Sequence, residues 1–138
     1  MSQIEVDKVI PQSGTNLQIG EAGDTINLTT ATVNLPTGVG GTSWQAVKTA
    51  NFTAVAGEGY FVNTTGGVIT ATLPSSATIG NEVSIIDYAG TADTNNITIG
   101  RNGHNIQGAA SDMTVSTERA AFTLVYVDST QGWLLKDK

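Results

Sequence analysis

Between Gly14 and Gly41 the apolar residues fall into three short pairs, Leu17/Ile19, Ile26/Leu28 and Val33/Leu35. Each pair alternates with polar neighbours and is set off from the next by Gly, Thr or Asn. A spacing of two predicts strands. Two inward side chains are too little burial to offset the ordering entropy of the backbone that carries them, so every rung must take part of its core from neighbours of the same kind. The segment therefore reads as an oligomeric β stem, with these six residues as its interior.

The flanks differ in texture. Met1 to Ser13 carries the alternating Ile4 and Val6 and then Val9 and Ile10 ahead of Pro11, whose missing N–H closes an extended segment; it reads as a docking arm. The stem ends in Pro36-Thr37-Gly38-Val39-Gly40-Gly41-Thr42, a Gly-rich joint ahead of Trp44. From there the pattern predicts about eight short strands. Asn51–Val55 is followed by Tyr60–Thr64, and Thr65-Gly66-Gly67 suggests a hairpin turn back into Val68–Leu73. Glu82–Tyr88 and Asn96–Gly100 come next. Asn102-Gly103, between Ile97/Ile99 and Ile106, is the sharpest hairpin signal, since both residues tolerate the left-handed backbone of a type I′ turn. Ala121–Val127 against Trp133–Leu135, joined through Asp128–Gly132, predicts a last hairpin. No window shows helical spacing. The expected fold is all-β: a docking arm over 1–13, a stem and hinge over 14–42, and an antiparallel β-sandwich or barrel over 43–138.

Composition supports strands and tight turns. Of the 138 residues 39% are hydrophobic and only 13% charged, with 16 Gly and abundant Thr, Asn and Ser. A chain of this length buries about two thirds of its unfolded surface in one globule, so a second independent core is not expected. The net charge of -6, with six Lys and Arg spread along the chain, offers no cationic face for phosphates or anionic lipid, so neither nucleic acid nor membrane is an expected partner. Cysteine is absent, which removes disulfides, thiolate metal sites and thiol nucleophiles together. Met1-Ser2-Gln3-Ile4-Glu5 has no basic, apolar leader and no membrane-length apolar run occurs, so synthesis in a cytoplasm is expected.

The reagents for catalysis are few. The single His, His104, follows the Asn102-Gly103 turn and reads as a surface residue. Gly41-Thr42-Ser43-Trp44-Gln45 lacks the final Gly of a nucleophile elbow, and no phosphate-cradling loop is present. Glu58, Glu82, Asp87, Asp93 and Glu118 are the carboxylates a glycosidase would draw on, but nothing in the spacing brings two of them within the roughly 5 to 10 Å required. Asp93-Thr94-Asn95-Asn96 offers alternate oxygen ligands without the Gly and distal Glu of a calcium loop. The Asn-x-Thr triplets at Asn27, Asn51, Asn63 and Asn96 are what an Asn- and Thr-rich chain produces by chance. The aromatics Trp44, Tyr60, Phe61, Tyr88, Tyr126 and Trp133 lie in or beside strands, where packing is the first reading and sugar stacking the second. No enzyme activity, cofactor or metal is expected.

Several phrases resemble virion proteins of tailed bacteriophages. Val6-Asp7-Lys8-Val9-Ile10-Pro11-Gln12-Ser13-Gly14-Thr15-Asn16-Leu17, followed by Gly20-Glu21-Ala22-Gly23-Asp24-Thr25-Ile26, is similar to the opening of stem segments in tail fibres and spikes. Gly59–Thr64, Thr70–Pro74, Gly80–Asp87, Asn95–Ile99, Asn102-Gly103, Ile106-Gln107-Gly108 and Leu124–Asp128 with Gly132-Trp133 resemble, in that order, the β-rich terminal domain of such proteins. The resemblance implies a homotrimer from phages of aquatic bacteria, cyanobacteria among the hosts, with three chains wound into a triple-stranded, β-helix-like stem and three β domains about one axis. It carries over no catalytic residue.

Family fibres are long and plug into the tail through a separate adaptor, whereas here the stem begins near residue 14, so a position on the capsid is expected. The leading expectation is a spike-like cement or decoration protein on the virion surface, assembled in the host cytoplasm. Its arm residues Ile4, Val6, Val9 and Ile10 would pair as an edge strand with the major capsid protein. The alternative is a tail fibre or receptor-binding tip, joined to a tail or baseplate protein and holding host polysaccharide. Its outer-surface candidates are Tyr60, Tyr88, Asn102 and His104.

Overall fold

The computed structural model describes residues 41–137; the arm residues Ile4, Val6, Val9 and Ile10 and the stem residues Leu17, Ile19, Ile26, Leu28, Val33 and Leu35 lie outside them. The described residues form nine strands and no helix: β1 (Ser43–Trp44), β2 (Phe52–Thr53), β3 (Glu58–Val62), β4 (Ile69–Thr72), β5 (Glu82–Asp87), β6 (Ile97–Gly100), β7 (Met113–Val115), β8 (Ala121–Asp128) and β9 (Gly132–Asp137). They make two sheets, one ordered β1-β3-β5-β8-β9 and the other β2-β4-β6-β7.

Both sheets are mixed, which corrects the expected antiparallel sandwich or barrel. From β1 to β6 the chain changes sheet at every strand, so β3 lies parallel to β1 and to β5, and β4 parallel to β2 and to β6. A parallel pair needs a long crossover, and here the strand of the opposite sheet serves as that crossover in place of a helix. The result is a stack of flattened coils. Two of the last three strands run the other way: β7 is antiparallel to β6 and β8 to β5, while β9, antiparallel to β8, runs with β5 again.

Period-two alternation is satisfied equally by parallel and antiparallel partners, because both arrangements bury one face of each strand. Tyr60, Val62, Val83, Ile85, Leu124 and Trp133 from the larger sheet thus meet Ile69, Ala71, Ile97 and Ile99 from the smaller in one core. The same alternation sets the outer faces. On the smaller sheet the outward positions of β2, β4, β6 and β7 are Thr53, Thr70, Thr72, Thr98, Gly100 and Thr114, in register across the strands.

Three local expectations meet different outcomes. Asn102 (φ 47°) and Gly103 (φ 92°) adopt the left-handed turn, closed by the His104 N–H donating to the Arg101 carbonyl at 3.1 Å. The strand that returns to β6 is nevertheless β7, ten residues on, and Ile106 makes only isolated bridges to Ala109 and Trp133. Thr65-Gly66-Gly67 is no hairpin turn either: it is a corner between sheets, since β3 and β4 belong to different ones. The β8–β9 hairpin forms as expected, with Tyr126 opposite Trp133 and Leu124 opposite Leu135.

Candidate functional site

Glu58 and Glu82, apart in sequence, start neighbouring parallel strands β3 and β5, and both line one cleft of about 420 Å³ at that end of the sheet. Thr42, Asn81, Ser84 and Lys136 also line it. Each carboxylate already has a partner. Glu58 accepts a short hydrogen bond from the Tyr60 hydroxyl, and that hydroxyl in turn accepts the Val55 N–H at 2.8 Å. Glu82 accepts from Lys136 Nζ at 3.0 Å, and this carboxylate holds the lysine above its ordinary pKa. The cleft thus collects carboxylates that spacing did not, and spends them on an ion pair and a tyrosine latch.

Tyr60, an expected outer-surface residue, is corrected to an interior one: it is 2% exposed, with its ring packed on Phe52 at 4.6 Å between centroids. Its parity on β3 places it with Val62 on the inner face and leaves Phe61 on the outer. Lys48 Nζ lies 5.6 Å from both the Phe52 and Tyr60 rings, covering this end of the core with a cation over aromatic faces. Burial first, and the Glu58 hydrogen bond second, push the Tyr60 pKa from 10.0 up to about 12. A tyrosine that holds its proton more tightly when folded contributes stability fully below pH 10, and that contribution is lost as pH rises through about 12. Tyr60→Phe is expected to cost about 1 kcal/mol at neutral pH through the lost hydrogen bonds and to flatten the alkaline limb of the stability profile. Urea titrations between pH 8 and pH 12 measure both effects, and an unchanged alkaline slope would count against the latch.

The other three surface candidates do not converge. Asn102 Nδ2 donates to the Leu73 carbonyl at 2.8 Å. His104 is half-buried, with Nε2 2.9 Å from the Ser75 carbonyl and its ring edge-on to Tyr126 at 5.0 Å. Tyr88 is 51% exposed at the far end of β5, beside the loop that Arg119 binds. The turn His therefore fastens the 73–75 segment to the core and does not stand free.

Two further carboxyl-bearing motifs are structural. Asp87 is 1% exposed and accepts the backbone N–H groups of Gly90, Thr91, Ala92 and Arg119 at 3.0 to 3.4 Å. In the Asp93–Asn96 turn, Asn95 and Asn96 spend their side-chain amides on the carbonyls of Thr64 and Ala92. Among the described residues no three His, Asp or Glu side chains cluster as a metal site.

What sequence reasoning missed is the outer face of the larger sheet. Trp44, 47% exposed, lies flat over Gly59 and stacks on Phe61 with centroids 4.9 Å apart and planes at 29°. A Cβ on Gly59 would come within 2.6 Å of the indole, so this glycine is what lets the ring lie down. Ser84 and Thr123, opposite each other, share a hydroxyl hydrogen bond of 2.9 Å beside it, over a shallow groove of about 300 Å³. The alternation of β3 supplied a signal, since Tyr60 and Phe61 cannot both point inward.

No family model matches the chain, and no curated protein matches it.

Proposed function

We propose that this chain is a structural virion protein of a tailed phage, a homotrimeric, spike-like cement or decoration protein that sits on the capsid and stabilises the particle. One observation carries the reading: β1 to β6 stack as parallel coils, and the first of them directly follows the segment read as a stem. Antiparallel pairing begins only with β7, and the first coil, β1 and β2, is two residues per strand and presents unpaired edges among the described residues. Parallel coils of this kind are suited to continue a rod that precedes them, and the rungs read between Gly14 and Gly41 would supply that rod.

The tail-tip alternative asks the same domain for an outward recognition surface. Of its four candidates, Tyr60 is interior and Asn102 and His104 are bound to backbone carbonyls, which leaves it the ring of Tyr88. The capsid reading needs no such surface.

Light scattering on the full chain at micromolar concentration is expected to return three times the mass of one chain. Electron cryomicroscopy of the particle is expected to place its density on the shell, and particles lacking it are expected to lose their genome at lower temperature. A folded monomer rejects the assembly, and density confined to the tail rejects the capsid position.

A further inference from the structure

The two outer faces of the domain differ in kind. That of the smaller sheet is threonine and glycine at every position, which is how a sheet face reads when it meets water. The larger sheet carries Trp44, Phe61, Ile86, Val125 and Leu134 on its outer face, with Glu82, ion-paired to Lys136, opposite Val125 and Asp137 opposite Thr123 at its margins. They form two ridges. Trp44 and Phe61 stack, with Ile86 opposite Phe61, and Val125 and Leu134 pair on the other side. Between the ridges lie Ser84 and Thr123, with Asp137 opposite Thr123, and their small hydroxyl side chains form the floor of the groove. Two apolar ridges beside a groove of small residues is the relief that packs against another protein surface, whereas an isolated domain leaves such a face polar.

We infer that the outer face of the larger sheet is covered by a second copy of this chain. The position of Trp44 is the reason for choosing that occupant. The 40 residues ahead of the described domain are those whose rungs require neighbours of the same kind, and they end three residues before β1, the edge strand of this sheet and of no other. Copies gathered by those rungs would be brought together beside this face first. Their contact would remove Trp44 from water, and the ridge-and-groove relief would fix the angle at which the domains meet. This step rests on the self-associating reading above and adds to it which face turns inward.

The chain's two tryptophans make the test direct, because Trp133 is 0% exposed and resists collisional quenching whatever the assembly. Acrylamide quenching of the full chain at micromolar concentration is expected to reach Trp44 several-fold less well than free tryptophan. Ile86→Arg, on the inferred contact, is expected to restore quenching to the level of an exposed indole. Thr98→Arg, the matching site on the threonine face, is expected to leave it unchanged. The wild-type measurement stands even if Ile86→Arg fails to fold. A trimer by light scattering whose Trp44 is freely quenched overturns the contact and leaves the trimer intact, whereas a monomer removes both. Shielding that appears only when a soluble polysaccharide such as dextran or alginate is added also overturns it, and gives the face to a glycan.

Discussion

Replacing Asp87 with Ala is expected to destabilise the domain by about 4 kcal/mol, a large part of the roughly 5 to 15 kcal/mol that holds a domain of this size together. The carboxylate is 1% exposed and gathers four backbone donors from two separate loops, Gly90, Thr91 and Ala92 on one side and Arg119 on the other. Removing it leaves these N–H groups without an acceptor, that of Ala92 fully buried and the others partly so. Each buried, unsatisfied donor costs about 1 to 3 kcal/mol, reduced where a water can enter. Asp87→Asn keeps the shape but turns an amide NH₂ toward donors, so it is expected to lose more than half as much. In urea denaturation the midpoint should fall with an unchanged slope, because the exposed surface on unfolding is the same. A loss within about 0.5 kcal/mol for Asp87→Ala, the range of an ordinary surface change, would mean that the loops hold themselves.

The same residue shows where sequence reading stops. Asp87 entered as one of five acids a glycosidase would draw on, and its role depends on Arg119, 32 residues away, which no local pattern indicates. Features that depend on a few consecutive residues were legible. The left-handed Asn102-Gly103 turn and the β8–β9 hairpin are written in the conformational freedom of two or three side chains. Partner choice was not legible, since an alternating strand such as Val68–Leu73 buries Ile69 and Ala71 in the same way whether its neighbour is parallel or antiparallel. β7 escaped because three residues give a single alternation, Met113 and Val115 sharing a face about Thr114, too short a pattern to stand out.

The cleft at Glu58 and Glu82 follows the same logic. The parallel pairing of β3 and β5, and not spacing, set both acids at strand starts that line one cleft, where Tyr60 and Lys136 are their partners. Tyr60, offered as an outer-surface candidate, seals the head of the core, and Trp44, read as core or inter-chain packing, stands half in water within one chain. If copies meet as inferred above, the face that carries Trp44 over Gly59, and not a charged group in the cleft, is where the fold bears on assembly.

Gly132→Ala is expected to be as damaging as the loss of Asp87, at roughly 3 to 5 kcal/mol, for a different physical reason. Gly132 opens β9 at φ 71°, and a Cβ there would sit 1.8 Å from the carbonyl oxygen of Asn105. The obstacle is backbone and cannot swing aside. That carbonyl accepts the Trp133 N–H at 2.9 Å, and the Trp133 carbonyl accepts from Gln107 at 2.9 Å. Moving the turn therefore pulls a fully buried indole and the 105–108 segment out of register together. Gly103→Ala separates the two contributions. Its φ is 92° and no atom lies within 4 Å of the added Cβ, so only the backbone strain remains, about 1 kcal/mol. Thermal unfolding of the pair should show Gly132→Ala falling several times further than Gly103→Ala. Equal shifts would mean that the close approach of Asn105 to the β9 turn relaxes freely, and that the hairpin is not anchored at that point.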